Sequence, residues 1–564
     1  MVTSRIHVLD EATIAQIAAG EVIERPVSVV KELVENSLDA SARHITVELM
    51  GGGRSAIAVT DDGVGIPRDD LPLAFARHAT SKLDSVGDLF AISSLGFRGE
   101  GLASIAAAGD VELTSRTRAS EFGYRVEARG TQVGTAAAVA ASVGTKVVVR
   151  ELFSRTPARR AFLKSERSEF ARVSAFTSQI ALGWPSVGFT LRHDGRDVWS
   201  LPAVKDPVDR LETVFGRAAR GALVPLVTAA ERVRERVSGY VCKPGHDRPN
   251  RNAQVFFVNG RIVRSAALSA AWLAGYGSFG MTGRYPFGVI AVSLPPEDVD
   301  VNVHPTKIEV RLAHPQHVFE AVRRAVAATQ SATERARPLP AAALHAGASG
   351  DERSDNSALH AEAGEAQLSF APDAQTRDMR VFGQIDRTFI VAGDGNELVL
   401  IDQHAAHERI AYEAIAANDG RRDVSEPALF PAVVELTPEQ IVALHAYEGE
   451  LADAGVIVEP FGEATYRIVA LPLGYEKRRF DLPRLLDDLS ADDAPREGVA
   501  HQKRVWASIA CHSVVRAGEP LSLQQQSALY ERLLRCRDPQ TCPHGRPTML
   551  RLDATALAKA FKRA

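Results

Sequence analysis

The sequence is poor in cysteine, with 4 in 564 residues, and it has neither a cleavable hydrophobic N-terminus nor an apolar run long enough to span a bilayer. These absences exclude a disulfide-stapled secreted scaffold and predict a chain of the reducing cytoplasm with no membrane partner. Charge of one sign is scarce as well: 66 Lys+Arg stand against 70 Asp+Glu, a net charge of -4. Any contact with nucleic acid must therefore rest on local basic patches. The pattern G-x-x-x-x-G-K-[ST] is missing throughout, so a P-loop is excluded as a phosphate cradle. What is present is an ordinary composition, 45% hydrophobic and 24% charged, in a chain long enough for about three domains.

The chain is organised around residues 29–40, V-V-K-E-L-V-E-N-S-L-D-A. Val29, Val30, Leu33, Val34 and Leu38 recur at helical spacing and predict an amphipathic helix with one side in a core. Glu32 and Asn36 then stand one turn apart on one face. A carboxylate there suits deprotonation of water, and a neutral amide oxygen suits Mg²⁺ beside a triphosphate. Taken alone, the pair means little, because Glu and Asn four apart are common on a solvated helix face.

The following motifs narrow that choice. Residues 60–66, T-D-D-G-V-G-I, follow an apolar strand candidate at 56–59, which puts Asp61 at a strand end with Gly63 and Gly65 opening the backbone beside it. Asp61 is placed to accept from an adenine amino group. Residues 79–82 (A-T-S-K) and 96–102 (G-F-R-G-E-G-L) come next, the latter entering a helix candidate at 102–108. Glycine-rich backbone entering a helix offers N–H groups and a positive dipole end to phosphate. Lys82 and Arg98 supply countercharge.

Farther along, Thr156 and Pro157 predict the start of a helix that carries Arg160, Lys164 and Arg167 on one face, either a solvated face or a phosphate contact. Strand candidates at 255–258 and 261–264 flank Asn259 and Gly260, a hairpin signal. Around them lie Arg232, Arg234, Arg236, Arg248, Arg251, Arg261 and Arg264, a candidate DNA-lining surface. Residues 298–312 place Lys307 on a loop between two strands. From 333 to 378 the sequence is rich in Ala, Gly, Ser, Pro, Asp and Glu and too poor in large apolar residues to fold. Its roughly 45 residues predict an end-to-end distance of roughly 35 to 40 Å.

Regular patterns resume with strands at 388–392 and 397–401, followed by D-Q-H-A-A-H-E-R-I-A-Y-E at 402–413. If a helix begins there, His404 and Glu408 share a face and Asp402 sits at its mouth. A helix candidate at 506–518 carries Cys511, and Cys542 and His544 precede a strand at 548–552. Each has a structural explanation on its own. Together Asp402, His404, Glu408, Cys511, Cys542 and His544 form a nitrogen, sulfur and oxygen donor set suited to Zn²⁺ or Mn²⁺.

E-x-x-x-N, D-x-G-x-G, T-S-K, G-F-R-G-E-G-L and the pair Gly144 and Thr145 resemble the ATP site of the GHKL superfamily. Residues 16–26, 31–40 and 96–105 resemble the MutL family of mismatch-repair proteins nearly letter for letter. Gly101 departs from the alanine usual there. The resemblance implies an α+β multidomain chain: a GHKL-type α/β sandwich ATPase at 1–209, a second, transducer-like α+β domain at 210–332, a flexible linker at 333–378, and an α+β dimerisation and endonuclease domain at 379–564. It implies Glu32 as general base and Asn36 as Mg²⁺ ligand. ATP would be bound by Asp61, Gly65, Thr80, Ser81, Lys82, Gly96, Arg98, Gly99, Glu100, Gly101, Leu102 and Thr145, with Lys307 reaching the γ-phosphate from the second domain.

The 402–413 stretch and C-P-H-G-R-P at 542–547 resemble the endonuclease motifs of those MutL homologues that nick DNA, with Asp402 and Glu408 catalytic beside Glu32. Ala510 and Cys511 match a further element, although His512 replaces its basic residue. Phe561, Lys562 and Arg563 resemble a tail that reaches a neighbouring subunit, which implies a homodimer. A MutS-type mismatch sensor and a sliding clamp are the implied partners; 426–431, E-P-A-L-F-P, echoes the clamp-binding pattern only loosely. The rival expectation is an ATP-driven matchmaker without nuclease activity whose Cys/His set holds a structural zinc. A GHKL topoisomerase or chaperone fits less well, because no tyrosine-nucleophile module is evident.

Overall fold

The computed structural model describes residues 22–77, 79–82, 95–96, 99–227, 234–248, 250–277, 284–301, 309–335, 379–394, 396–417, 425–462, 464–472, 480–491, 499–512, 520–543 and 545–560. The chain forms two compact units, one of residues 1–331 with 418–508 and the other of 332–417 with 509–564.

In the first unit, α1 (Pro26–Asp39) starts with Pro26 at its first position, where a missing N–H costs nothing. It lies on a nine-stranded sheet built from β1 (His44–Met50), β2 (Ala56–Asp61), β3 (Asp110–Arg116), β4 (Gly123–Arg129), β5 (Gln132–Val133), β6 (Ala137–Val139), β7 (Gly144–Arg150), β8 (Gly188–His193) and β9 (Arg196–Leu201). The order is β5-β4-β3-β7-β2-β1-β8-β9, with β6 on β4. The register of the β3-β7-β2 stretch sets Ser115 opposite Thr145 and Thr145 opposite Asp61, which puts three polar residues in one row. Helix α2 (Gly101–Ala108) follows the glycine-rich loop.

The one helix expected from Pro157 through Arg167 is two. α3 (Pro157–Ala161) is a short piece, and α4 (Glu166–Gly183) restarts because the Ser165 hydroxyl accepts from the Ser168 N–H and caps a new helix. Arg160, Lys164 and Arg167 therefore do not share a single helical face. Two of the arginines have acidic partners: Arg160 lies 3.7 Å from Glu151 and Arg167 3.5 Å from Glu450.

α5 (Pro207–Phe215) and α6 (Ala218–Ala222) lead into a second sheet. It consists of β10 (Leu223–Pro225), β11 (Arg236–Cys242), β13 (Gln254–Val258), β14 (Arg261–Val263) and β16 (Gly288–Ser293), in the order β10-β11-β16-β13-β14. Small two-stranded pairs join β12 (Asp247–Arg248) to β15 (Tyr285–Pro286) and β17 (Val299–Asp300) to β18 (Arg311–Leu312). The β13-β14 hairpin turns at Asn259 and Gly260, both at positive φ, as its Asn-Gly sequence predicts. α7 (Ala266–Tyr276) and α8 (Pro315–Arg335) cover this sheet and share its core, with Trp272, Val322 and Val326 fully buried.

Arg210, on α5, ties that helix to the first sheet's side. Its side chain is buried and donates to the carbonyls of Ala181 (3.0 Å), Val187 (2.9 Å) and Pro202 (2.7 Å). Burial pulls its guanidinium down to about 10.

Also in the first unit, β22 (Ser425–Glu435), β23 (Ile457–Pro460) and β24 (Thr465–Pro472) form a sheet in the order β22-β24-β23; α11 (Leu482–Ala491) lies against β22, and α10 (Pro438–Asp453) packs on α11. The 426–431 stretch lies on β22.

The second unit holds a four-stranded sheet in the order β19-β20-β21-β25, formed by β19 (Arg380–Ile385), β20 (Phe389–Gly393), β21 (Glu397–Asp402) and β25 (Met549–Asp553). α9 (Gln403–Ala417) leaves directly from β21, and α13 (Leu523–Leu534) packs beside it over Ile390, Val399 and Ile401. α12 (Val499–Cys511) begins in the first unit, and only its last turn, which ends at the cysteine, is counted in the second; α14 (Ala554–Ala560) follows β25.

Candidate functional site

A cavity of about 990 Å³ opens between α1, the ends of β2 and β7, and the loop that enters α2. Its lining includes Glu32, Asn36, Asp61, Gly65, Thr80, Ser81, Lys82, Gly96, Gly99, Glu100, Gly101, Leu102 and Thr145. Thirteen of the residues expected to bind nucleotide thus meet around one space. The others, Arg98 and Lys307, lie outside the described residues.

Asp61 accepts from the Ser37 hydroxyl at 2.8 Å and from the Gly63 N–H at 2.9 Å. Burial pushes its carboxyl above the usual carboxylate range, against the pull of those hydrogen bonds and one from Thr145. Ser115 bonds the Thr145 hydroxyl at 2.9 Å and accepts from the Ile66 N–H at 2.8 Å, which fixes the turn after Asp61. Neither Ser37 nor Ser115 is marked by a motif. Ser37 was visible as the residue one turn of helix beyond Leu33, but only the β3-β7-β2 register brings in Ser115.

Gly65 (φ 76°) lies so close to the Arg116 carbonyl that any Cβ would collide with it. The glycine of D-x-G-x-G is thus a matter of space as well as conformation.

On the side of the glycine-rich loop, Lys82 donates to Asn36 Oδ1 at 3.0 Å and to Asp39 at 2.5 Å. Asp39 also accepts from the N–H groups of Leu95 and Gly96 at 2.9 and 3.0 Å. Asp39 went unnoticed in the sequence, although it falls at the next helical step from Asn36. Gly101 approaches Glu32 closely: a Cβ there would lie 3.0 Å from Glu32 Oε2.

The second unit brings together part of the metal-ligand set. Because α9 begins at Gln403, His404 and Glu408 stand on one face with Nε2 to Oε1 at 3.2 Å. Cys511 joins them from the end of α12, and the three ligand atoms lie within 4.8 Å of one another. Burial pushes the Cys511 thiol up, while His404 beside it pulls down and Glu408 pushes up again.

Asp402 is not in that group. Its Oδ1 accepts from the N–H groups of His404 (2.9 Å) and Ala405 (3.0 Å) and so caps α9. Cys542 is buried in a tight loop, its N–H on the Arg546 carbonyl at 2.8 Å, and also stands outside the group of three. That loop is fastened to α9: Glu413 accepts from the N–H groups of Arg537 and Asp538, and Arg409 reaches the Thr541 carbonyl. His544 and the 561–563 tail lie outside the described residues.

Residues 24–141 match the family described as "Histidine kinase-, DNA gyrase B-, and HSP90-like ATPase". Residues 211–331 match "DNA mismatch repair protein, C-terminal domain", and 382–521 match "MutL C terminal dimerisation domain". The DNA mismatch repair protein MutL of Desulforudis audaxviator (strain MP104C) is 39% identical over 574 residues, which span 99% of this chain and 100% of that one. The chain belongs to the MutL family. A second MutL, from Symbiobacterium thermophilum, is 36% identical over 636 residues and again covers 99% of this chain and 100% of its own. Among solved structures, the N-terminal domain of a DNA repair protein covers 58% of this chain and 100% of its own, at 24% identity and a TM-score of 0.50, a likeness of fold alone.

The α+β multidomain class with an N-terminal GHKL-type ATPase domain is borne out. Membership places the chain in DNA mismatch repair, with ATPase activity in the first domain and a dimerisation domain toward the C-terminus. Among the described residues, no helix is long and apolar enough to cross a membrane.

Proposed function

We propose that this MutL-family chain is an ATP-gated homodimer that binds DNA without reading its sequence and nicks one strand. The observation that carries the nuclease reading is the convergence of His404, Glu408 and Cys511, from two separate helices, on one point. A repair ATPase that only recruits partners has no need of a carboxylate in such a set. Imidazole, carboxylate and thiol together fit Zn²⁺ or Mn²⁺ better than Mg²⁺, and a carboxylate ligand favours an open catalytic site over a closed Cys/His cage.

In the ATP site, Asp61 accepts from the adenine amino group, and the Ser37, Gly63 and Thr145 contacts keep it oriented. Asn36 would hold Mg²⁺, which neutralises charge on the phosphates when bound. Lys82 and the N–H groups at the start of α2 receive the phosphate oxygens. Glu32 takes a proton from the attacking water, and Gly101 leaves its carboxylate room beside the phosphate loop. Lys307 would add a contact from the second domain.

In the second site, His404, Glu408 and Cys511 would hold the ion, with Asp402, Cys542 and His544 as further ligands. Such an ion, when bound, polarises a phosphodiester oxygen and lowers the pKa of water. Asp402 sets the direction of α9 through its cap, and Arg409 and Glu413 tie the Cys542 loop to the same helix.

Supercoiled-plasmid nicking by the full-length protein with Mn²⁺ or Zn²⁺ tests the reading. Nicking that is lost on Glu408→Lys, with ATPase activity retained, supports it. Absence of nicking by the wild type under both metals leaves the ATP-driven matchmaker with a structural zinc. Addition of a MutS-type sensor or a sliding clamp to the same assay tests those partners, the latter with the 426–431 stretch altered.

A further inference from the structure

Three charged residues around Glu32 are buried; Lys31 and Glu35 have no role in the site described above, and Arg261, expected on a DNA-lining surface, is withdrawn from it by its burial. Lys31, Glu35 and Arg261 are 3%, 1% and 4% exposed. An amphipathic α1 would turn Lys31 and Glu35 to solvent; instead both are buried, and the second domain reaches Glu35 through Arg261. Lys31 Nζ lies 2.8 Å from Glu35 Oε1 and 3.8 Å from Glu32 Oε1. Arg261, on β14 of the second domain, brings a guanidinium nitrogen to 4.0 Å from Glu35 Oε2. Two cations and two carboxylates thus alternate from the second sheet to the carboxylate that faces the phosphate loop.

Burying four charges is costly, and apolar residues of like volume often give equal or greater stability. Removing one member, however, leaves an uncompensated charge that its neighbours must move to satisfy. Such a cluster specifies geometry more than it adds stability.

We propose that Arg261, acting through Glu35 and Lys31, holds the Glu32 carboxylate in its working position, so that the seating of the second domain sets the rate of ATP hydrolysis. Arg261, Glu35 and Lys31 are positioning residues; none lines the cavity. The proposal rests on Glu32 as the base. It gives the second domain a hold on the hydrolytic step from behind α1, separate from any loop that reaches the phosphates. Because Glu32 lies at the end of the chain of charges, loss of Arg261 is felt in turnover and not in nucleotide binding, which is made by Asp61, Asn36 and Lys82 on other parts of the cavity.

The test is steady-state ATP hydrolysis and fluorescent ADP binding by the full-length protein carrying Arg261→Met, Arg261→Lys, Lys31→Met, the double variant Lys31→Met/Arg261→Met, and Glu32→Ala. Arg261→Met should lower kcat about tenfold or more, since misplacement of a catalytic group by 1 Å costs up to about 100-fold. KM and ADP affinity should hold, and Arg261→Lys should recover part of the rate. The double variant should fall no further than the weaker single one, as members of one network do. An unchanged kcat in Arg261→Met, or a parallel loss of kcat and ADP affinity, overturns the proposal. If Arg261→Met does not fold, the isosteric Glu35→Gln carries the same test with the same outcomes. Glu32→Ala separates the two readings: if it still turns over, the assignment of the base fails; if it is dead while Arg261→Met is normal, only the relay fails.

Discussion

Lys82 and Asp39 meet at 2.5 Å at the mouth of the nucleotide cavity, and Asp39 takes the Leu95 and Gly96 N–H groups with its two oxygens. One carboxylate from the end of α1 therefore fastens both the Lys82 ammonium and the backbone that leads into the glycine-rich loop.

Asp39→Ala should release both. Hydrogen bonds to a charged group are worth about 1.5 to 3 kcal/mol each, so KM for ATP should rise on the order of tenfold. Hydrogen exchange at the amides of Leu95 and Gly96 should quicken at the same time. Unchanged protection there would mean that other contacts fix the loop.

Burial holds the Asp61 carboxyl above its usual range, and only the ionised form accepts with both oxygens. Nucleotide affinity should therefore weaken as pH falls through the raised value. Asp61→Asn should bind more weakly near neutrality and lose that pH dependence, as fluorescent-nucleotide titrations across the mildly acidic range would show. Its effect on the fold has the opposite sign. With the folded value raised above the unfolded one, its contribution to stability is present below the unfolded carboxylate pKa and is lost as pH rises through the folded value.

Metal binding by His404, Glu408 and Cys511 must displace the thiol proton that burial retains. Zinc titrations should show proton release and an affinity that falls with pH. Cys511→Ala should cost more than the roughly 10- to 100-fold that loss of an outer-shell partner does. Equal zinc stoichiometry and affinity in that variant would remove Cys511 from the set.

Arg210→Met should be among the most destabilising single changes in the first unit. It leaves the carbonyls of Val187 and Pro202 without that donor, while Ala181 keeps the Trp184 N–H at 3.3 Å, and each orphaned group costs about 1 to 3 kcal/mol. Denaturant unfolding should show a loss of about 3 kcal/mol or more, with the midpoint lowered and the slope retained.

Sequence alone determined the local features whose periods and turn residues are short-range. The helical spacing of Val29 to Leu38, the glycines beside Asp61, the Asn-Gly hairpin and the one-turn separation of His404 and Glu408 all lie within a few residues of one another, and backbone geometry does the rest. Tertiary structure alone decided which distant groups meet. Strand order put Ser115 beside Thr145 and Asp61, and the end of α12 carried Cys511 to His404. The same holds for Lys31 and Glu35, charged residues on a helix that read as amphipathic: burial depends on what closes over a face, and here the second domain brings Arg261 to it.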